Sequence, residues 1–172
     1  MDAAGGLPQL SPVSHLPHTQ PRRGWRYWQV QADAGILRSV THRRVRWRPH
    51  TPLRAVCLIG GHEAPAAGCA CGIHATADLD RLRDECLCLA PTDPLVVGEV
   101  SLWGTVIDDD HGLRGEFGYP HRLRLVVPEG GDPNGPALSC LETFGVRVDR
   151  VGPAEAVGEA AAAVMAFQQM SR

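Results

Sequence analysis

The sequence predicts an α+β domain in which β-structure dominates, arranged as a small barrel or curled antiparallel sheet with two or three helices and a zinc-binding loop. Three observations predict it. Short runs of aromatic and β-branched residues alternate with polar ones. Helical spacing is confined to a few short stretches between loops rich in Gly and Pro. A composition of 44% hydrophobic and 21% charged over 172 residues is that of one globular domain of ordinary size.

Residues 1–23 carry four prolines and few large apolar side chains, so they are expected to form a disordered arm. The β-rich domain is expected over 24–150, with a C-terminal helix over 151–172 packed on it or extending from it. Trp25, Tyr27 and Val30 alternate with polar partners as in a strand, Ala34-Gly35 makes a turn, and Ile36–Val40 returns as the second arm of a hairpin. Val45, Trp47 and Pro49 continue in extended form, and Leu53–Ile59 is a short apolar strand ending at Gly60-Gly61. Thr76 predicts the N-cap of a helix over Ala77–Cys88, with Asp78 and Asp80 suited to the positive end of its dipole. Leu95–Trp103 and Thr105–Ile107 read as an extended stretch with a bulge at Gly104. Leu113–Tyr119 and Arg122–Val127 read as two further strands separated by Pro120. Leu138–Phe144 is a short helix stopped by Gly145, Val146–Val148 a short strand, and Pro153 opens an Ala-rich helix to about Gln169.

The formal net charge of -2 gives no general attraction to nucleic acid or membranes. Charge is uneven along the chain, however: nine arginines and one acid lie between Arg22 and Arg54, and ten acids face two arginines between Glu63 and Asp110. Every basic residue is arginine, which reads as coding bias and weakens arginine enrichment as a sign of phosphate contacts. No apolar run is long enough to cross a membrane, and the N-terminus lacks the basic-then-apolar order of a signal peptide. A cytoplasmic location is therefore expected, where clustered cysteines point to metal or catalysis before disulfides.

The most specific chemistry is Cys57-x4-His62-x6-Cys69-x-Cys71-Gly72. Zinc takes four tetrahedral ligands, preferably thiolate and imidazole, and a loop containing Gly60, Gly61, Pro65 and Gly68 has the freedom to wrap an ion. Gly72 can let backbone N–H groups approach a thiolate. The spacing leaves open a catalytic zinc with one free position, an iron–sulfur cluster, and ordinary unligated cysteines. His74 is a rival to His62. Cys86 and Cys88 stand two apart on a predicted helix and point away from each other, and Cys140 reads as core.

These residues, with Gly24-Trp25-x-x-Trp28, the Leu102-Trp103-Gly104 segment, Gly112-x-Arg114-x-Glu116 and Tyr119-Pro120, make the chain similar to a family of uncharacterised actinobacterial and phage proteins. The family motif has the form Cys…His-x-x-Pro…Cys-x-Cys-Gly-Ile-Tyr-Ala. The resemblance covers about 24 to 148 and brings no activity with it. It implies Cys57, His62, Cys69 and Cys71 as the ligands of a structural zinc and argues against Cys86, Cys88 and Cys140. His74 stands where tyrosine is usual.

Other chemistry is weaker. Glu63 follows a candidate ligand, but there is no second histidine four residues on. Asp108, Asp109, Asp110 and His111 form an acidic turn that could hold a cation. Phosphate loops, nucleophile elbows and dinucleotide fingerprints are missing from the sequence. Arg43, Arg44 and Arg46, interleaved with tryptophans, are candidate nucleic-acid contacts. Arg114, Glu116, Tyr119 and Trp103 are a candidate binding surface. The expected function is a zinc-containing accessory or regulatory module that binds a protein partner without catalysis. Nucleic-acid binding through the 22–54 strands and a metal-dependent enzyme with an open zinc position are the alternatives.

Overall fold

The computed structural model describes residues 18–41, 44–85, 93–110 and 112–170. The chain forms β1 (His18–Gln31), β2 (Ile36–Ser39), β3 (Arg46–Trp47), β4 (Leu53–Arg54), β5 (Ile73–Ala75), α1 (Leu79–Glu85), β6 (Leu95–Asp109), β7 (Gly112–Val126), α2 (Pro136–Glu142), β8 (Arg147–Val151), α3 (Pro153–Val157) and α4 (Glu159–Met170). The α+β class expected from the sequence is correct, with four short helices among the described residues. Among these helices none is long and apolar enough to cross a membrane.

The eight strands make one sheet, six of them in the order β3-β2-β1-β6-β7-β4, with β5 and β8 each pairing with β7 off that path. The expected barrel or curled antiparallel sheet does not form; the sheet is open and mixed. A lone bridge between Arg48 and Thr51 links the chain between the two end strands. Pro52, the next position outward from Thr51, has no N–H with which to extend the bridge into a ladder. The sheet is mixed because β8 runs parallel to β7, from Arg122 opposite Arg147 to Val126 opposite Val151.

β7 positions everything that follows. One edge pairs with β6. Its other edge carries three short strands in succession: β5 at Leu113–Gly115, β4 at Phe117–Gly118 and β8 at Arg122–Val126. Pro120 does not split the strand as expected. The β6–β7 register shifts by a residue there, so that Val100 faces Pro120 and Glu99 faces Arg122, and pairing resumes. The expected bulge at Gly104 is present, with φ +74° and a second register shift between Trp103 and Val106.

Both faces of the sheet are covered, which explains the unbroken run Leu95-Val96-Val97. Val96, Val100 and Leu102 join Trp28, Leu37, Trp47, Leu123 and the α2 residues Leu138 and Leu141 in one core. Leu95 and Val97 join Tyr27, Leu82, Val126, Val151, Ala156, Val157 and Met165 in the other. The C-terminal helices thus pack on the domain, and the Tyr27 hydroxyl donates to the Ala156 carbonyl at 2.7 Å.

Three local expectations change. Residues 18–23, expected within the disordered arm, are strand β1; the rest of that arm, 1–17, lies outside the described residues. Asp78, not Thr76, caps α1, its Oδ1 accepting the Arg81 N–H at 2.8 Å, while the Thr76 hydroxyl donates to the Asp78 carbonyl at 2.9 Å. The C-terminal helix is two helices, because Gly158 breaks it at φ +82°.

Candidate metal centre

The loop holding the candidate ligands starts and ends on the same strand. Leu53 of β4 pairs with Gly118, and the Ala55 N–H donates to the Glu116 carbonyl at 2.7 Å. Ile73 of β5 pairs with Gly115. Cys57 therefore leaves β7 a few residues from where Cys69 and Cys71 return to it, and the Gly/Pro segment between them only has to turn back.

It does so with the side chains converging. The Cys57 and Cys69 sulfurs are 3.9 Å apart, and His62 Nε2 lies 3.3 Å from the Cys71 sulfur. All four donor atoms lie within 4.8 Å of one another. Zinc bonds of about 2.3 Å to sulfur and about 2.0–2.1 Å to nitrogen give tetrahedral edges of about 3.8 Å between sulfurs and about 3.5 Å between sulfur and nitrogen. The four residues are close enough to hold one metal ion. The three cysteines are free thiols.

The thiols differ in environment. The Gly60 N–H, at 3.2 Å, and the Ile59 N–H hold the Cys57 thiol below its ordinary value. Burial pushes the Cys71 thiol up, and the neighbouring thiols of Cys69 and Cys57 add to this. The N–H donors to sulfur thus come from Gly60 and Ile59 at Cys57 and from Ala66 at Cys71, rather than through Gly72 as expected. Gly60 has a second role: a β-carbon there would collide with the His62 ring. Gly72 matters for another contact. At φ +128°, its added β-carbon would lie 3.0 Å from Cβ of Arg114 and 3.1 Å from Cβ of Pro65.

Arg114 is where sequence reading and structure part most sharply. Expected on an exposed polar patch, it is 2% exposed. Its Nη1 donates to the carbonyls of Cys69, Cys71 (3.1 Å) and Ala66 (3.4 Å), and Nη2 to Asp109. The rest of the expected surface is dispersed. Glu116 accepts the Thr105 N–H at 3.2 Å and pairs with Arg54 at 3.6 Å. Trp103 stacks on Phe117 with ring centroids 6.0 Å apart. Tyr119 accepts the His50 N–H and donates to the Phe144 carbonyl, each at 2.8 Å.

His74 does not replace His62: its Nε2 lies 2.7 Å from the Ala70 carbonyl oxygen. Cys140 is buried in the core, and burial raises its thiol; Cys86 and Cys88 lie outside the described residues. In the acidic turn Asp108 pairs with Arg22 at 2.9 Å and Asp109 with Arg114, while the main-chain carbonyl of Asp110 accepts from Arg81 at 2.6 Å. His111 lies outside the described residues, as does Arg43. Arg44 and Arg46 are exposed, but Tyr27, Trp28 and Trp47 are core residues. Arg26 packs over Trp28 and Trp47 at 5.4 and 4.9 Å, and burial lowers it to about 10. No family model, curated protein or solved structure matches the chain.

Proposed function

We propose that the protein is a small, non-catalytic binding module completed by one structural zinc ion on Cys57, His62, Cys69 and Cys71. The observation that carries this reading is the convergence of three sulfurs and one imidazole nitrogen from the two ends of a loop closed on β7. Sulfur and imidazole donors favour zinc over hard cations, and four protein ligands fill a tetrahedron with no position left for substrate. Free thiols fit a reducing, cytoplasmic setting.

The binding role rests on what the loop displays. Val56, Leu58 and Ile59, on either side of the ligand Cys57, are 71%, 85% and 94% exposed. Large apolar side chains grouped in this way mark surfaces that meet another protein. An ion on Cys57 fixes the backbone that presents them.

Elemental analysis of protein purified without added metal tests the first half, with one zinc per chain expected. Loss of metal in Cys71→Ser should accompany a lower melting temperature. For the second half, Leu58→Ser/Ile59→Ser should keep zinc and melting temperature yet no longer retain the proteins held by the immobilised native chain. Equal retention by both would count against a docking role for this loop.

A further inference from the structure

We propose that Arg114 is the positioning residue of the metal centre, holding the Cys69–Cys71 half of the site in place and offsetting the negative charge of its thiolates. This rests on the reading that the cluster binds zinc. Desolvation sets the demand: a guanidinium buried to 2% exposure needs acceptors for its donors, and both Nη groups find them while Nε does not. One carboxylate, Asp109, meets Nη2. Nη1 is matched by three main-chain carbonyls, of Ala66, Cys69 and Cys71, all in the turn that carries two of the four ligands.

The contact is built into the sequence on both sides. Only a residue without a β-carbon lets the chain after Cys71 lie against Arg114, and that residue is Gly72. Arg114 is itself fixed by its place in β7, opposite His74 of β5 and Ile107 of β6. The backbone of Cys69 and Cys71 is thereby ordered from β7 whether or not an ion is bound. The other half of the site is held differently, by the Ala55–Glu116 hydrogen bond two residues before Cys57 and by the Gly60 N–H at the Cys57 sulfur. His62 is exposed and sits beyond Gly60-Gly61, with Gly61 at φ +62°. Within the centre, Cys69 and Cys71 are the pair whose backbone Arg114 orders, and His62 is the exposed member of the four.

Charge leads to the same residue. Three thiolates and a neutral imidazole around a divalent cation carry a net charge of -1, and a guanidinium hydrogen-bonded to the ligand backbone opposes it. Groups outside the ligand shell that orient ligands in this way typically change metal affinity about 10–100-fold when removed.

The test is zinc affinity by competition with a chromophoric chelator, alongside the charge-transfer and d–d absorption of the cobalt-loaded protein. Arg114→Met should weaken zinc binding about 10–100-fold and alter the cobalt spectrum. Arg114→Lys should recover only part of the affinity, since one ammonium cannot span Asp109 and three carbonyls. Asp109→Asn, which keeps the guanidinium but loosens its anchor, should show a smaller loss and serves if Arg114→Met does not fold. Tyr119→Phe, a destabilising change away from the loop, should leave affinity and spectrum unchanged. Native affinity in both Arg114→Lys and Asp109→Asn, or a loss in Tyr119→Phe matching that in Asp109→Asn, would overturn the proposal. Failure of the native protein to take up zinc or cobalt would instead sink the metal-centre reading itself.

Discussion

On the proposed zinc reading, removing the ion with EDTA, or replacing Cys69 with serine, should cut a cross-link between the two ends of the 57–71 segment. Neither core depends on that cross-link: Cys57, His62, Cys69 and Cys71 belong to neither hydrophobic cluster. The β5–β7 ladder, from Ile73 opposite Gly115 to Ala75 opposite Leu113, is likewise made by residues outside the ligand set. The stability at stake is then the closure of a loop of about 15 residues, worth about 3 kcal/mol of chain entropy in the unfolded state. For a domain of this size each kcal/mol moves the unfolding midpoint by about 2–4 °C. Metal removal should therefore lower the midpoint by about 6–12 °C while the transition stays cooperative, as read by differential scanning calorimetry on matched zinc-loaded and chelated samples. Superimposable transitions would refute the cross-link. Complete unfolding of the chelated protein at room temperature would refute the independence of the two cores.

Three further outcomes follow from particular contacts. Gly60→Ala should lose zinc affinity, because the added methyl group meets the His62 ring. Gly35→Ala, at φ +63° with open space around it, should cost about 1 kcal/mol of stability and leave metal binding untouched; a chelator titration of both variants decides this. Tyr119→Phe removes the hydroxyl shared by the His50 N–H and the Phe144 carbonyl and should cost about 1–2 kcal/mol in urea unfolding. Asp149 accepts from Arg122 Nε at 2.6 Å and from Arg147 Nε at 3.0 Å, and the Arg122 contact holds its carboxyl below the usual range. A depressed folded value means its contribution is complete above the ordinary carboxylate range and lost as pH falls through the depressed one. Asp149→Asn should thus destabilise by less than about 1 kcal/mol at neutral pH, with the gap to the native protein closing in acid.

What was legible in the sequence was local. Alternation placed the paired segments of β1 and β2, Gly104 marked its bulge, Gly145 its helix stop, and the candidate ligands were readable because they lie in one short loop. Pairing across distance was not legible. Nothing in Arg147–Val151 announces that it runs parallel to β7, and the chain between Trp47 and Leu53 does not reveal that a single bridge forms there and the sheet stays open. Arg114 shows the same limit in one residue. Its neighbours Leu113 and Gly115 look like any strand, so period-two patterning sends the guanidinium to solvent. Only the fold brings the 66–71 turn over it. Gly72 does not reveal it either, because its φ of +128° and its close approach to Arg114 are seen only in the fold.

The edge of β7 that hosts β5, β4 and β8 in turn amounts to a ruler read by three separate parts of the chain. A slip of one residue in the β6–β7 hairpin would turn that edge's side chains to the opposite face. Arg114 would then face the core in place of Leu113 or Gly115, the two ends of the cysteine loop would meet the wrong partners, and β8 would lose its match. Zinc uptake would accordingly report on strand alignment as well as on thiol chemistry: only a chain measured out correctly along this one edge brings four donor atoms to a common point.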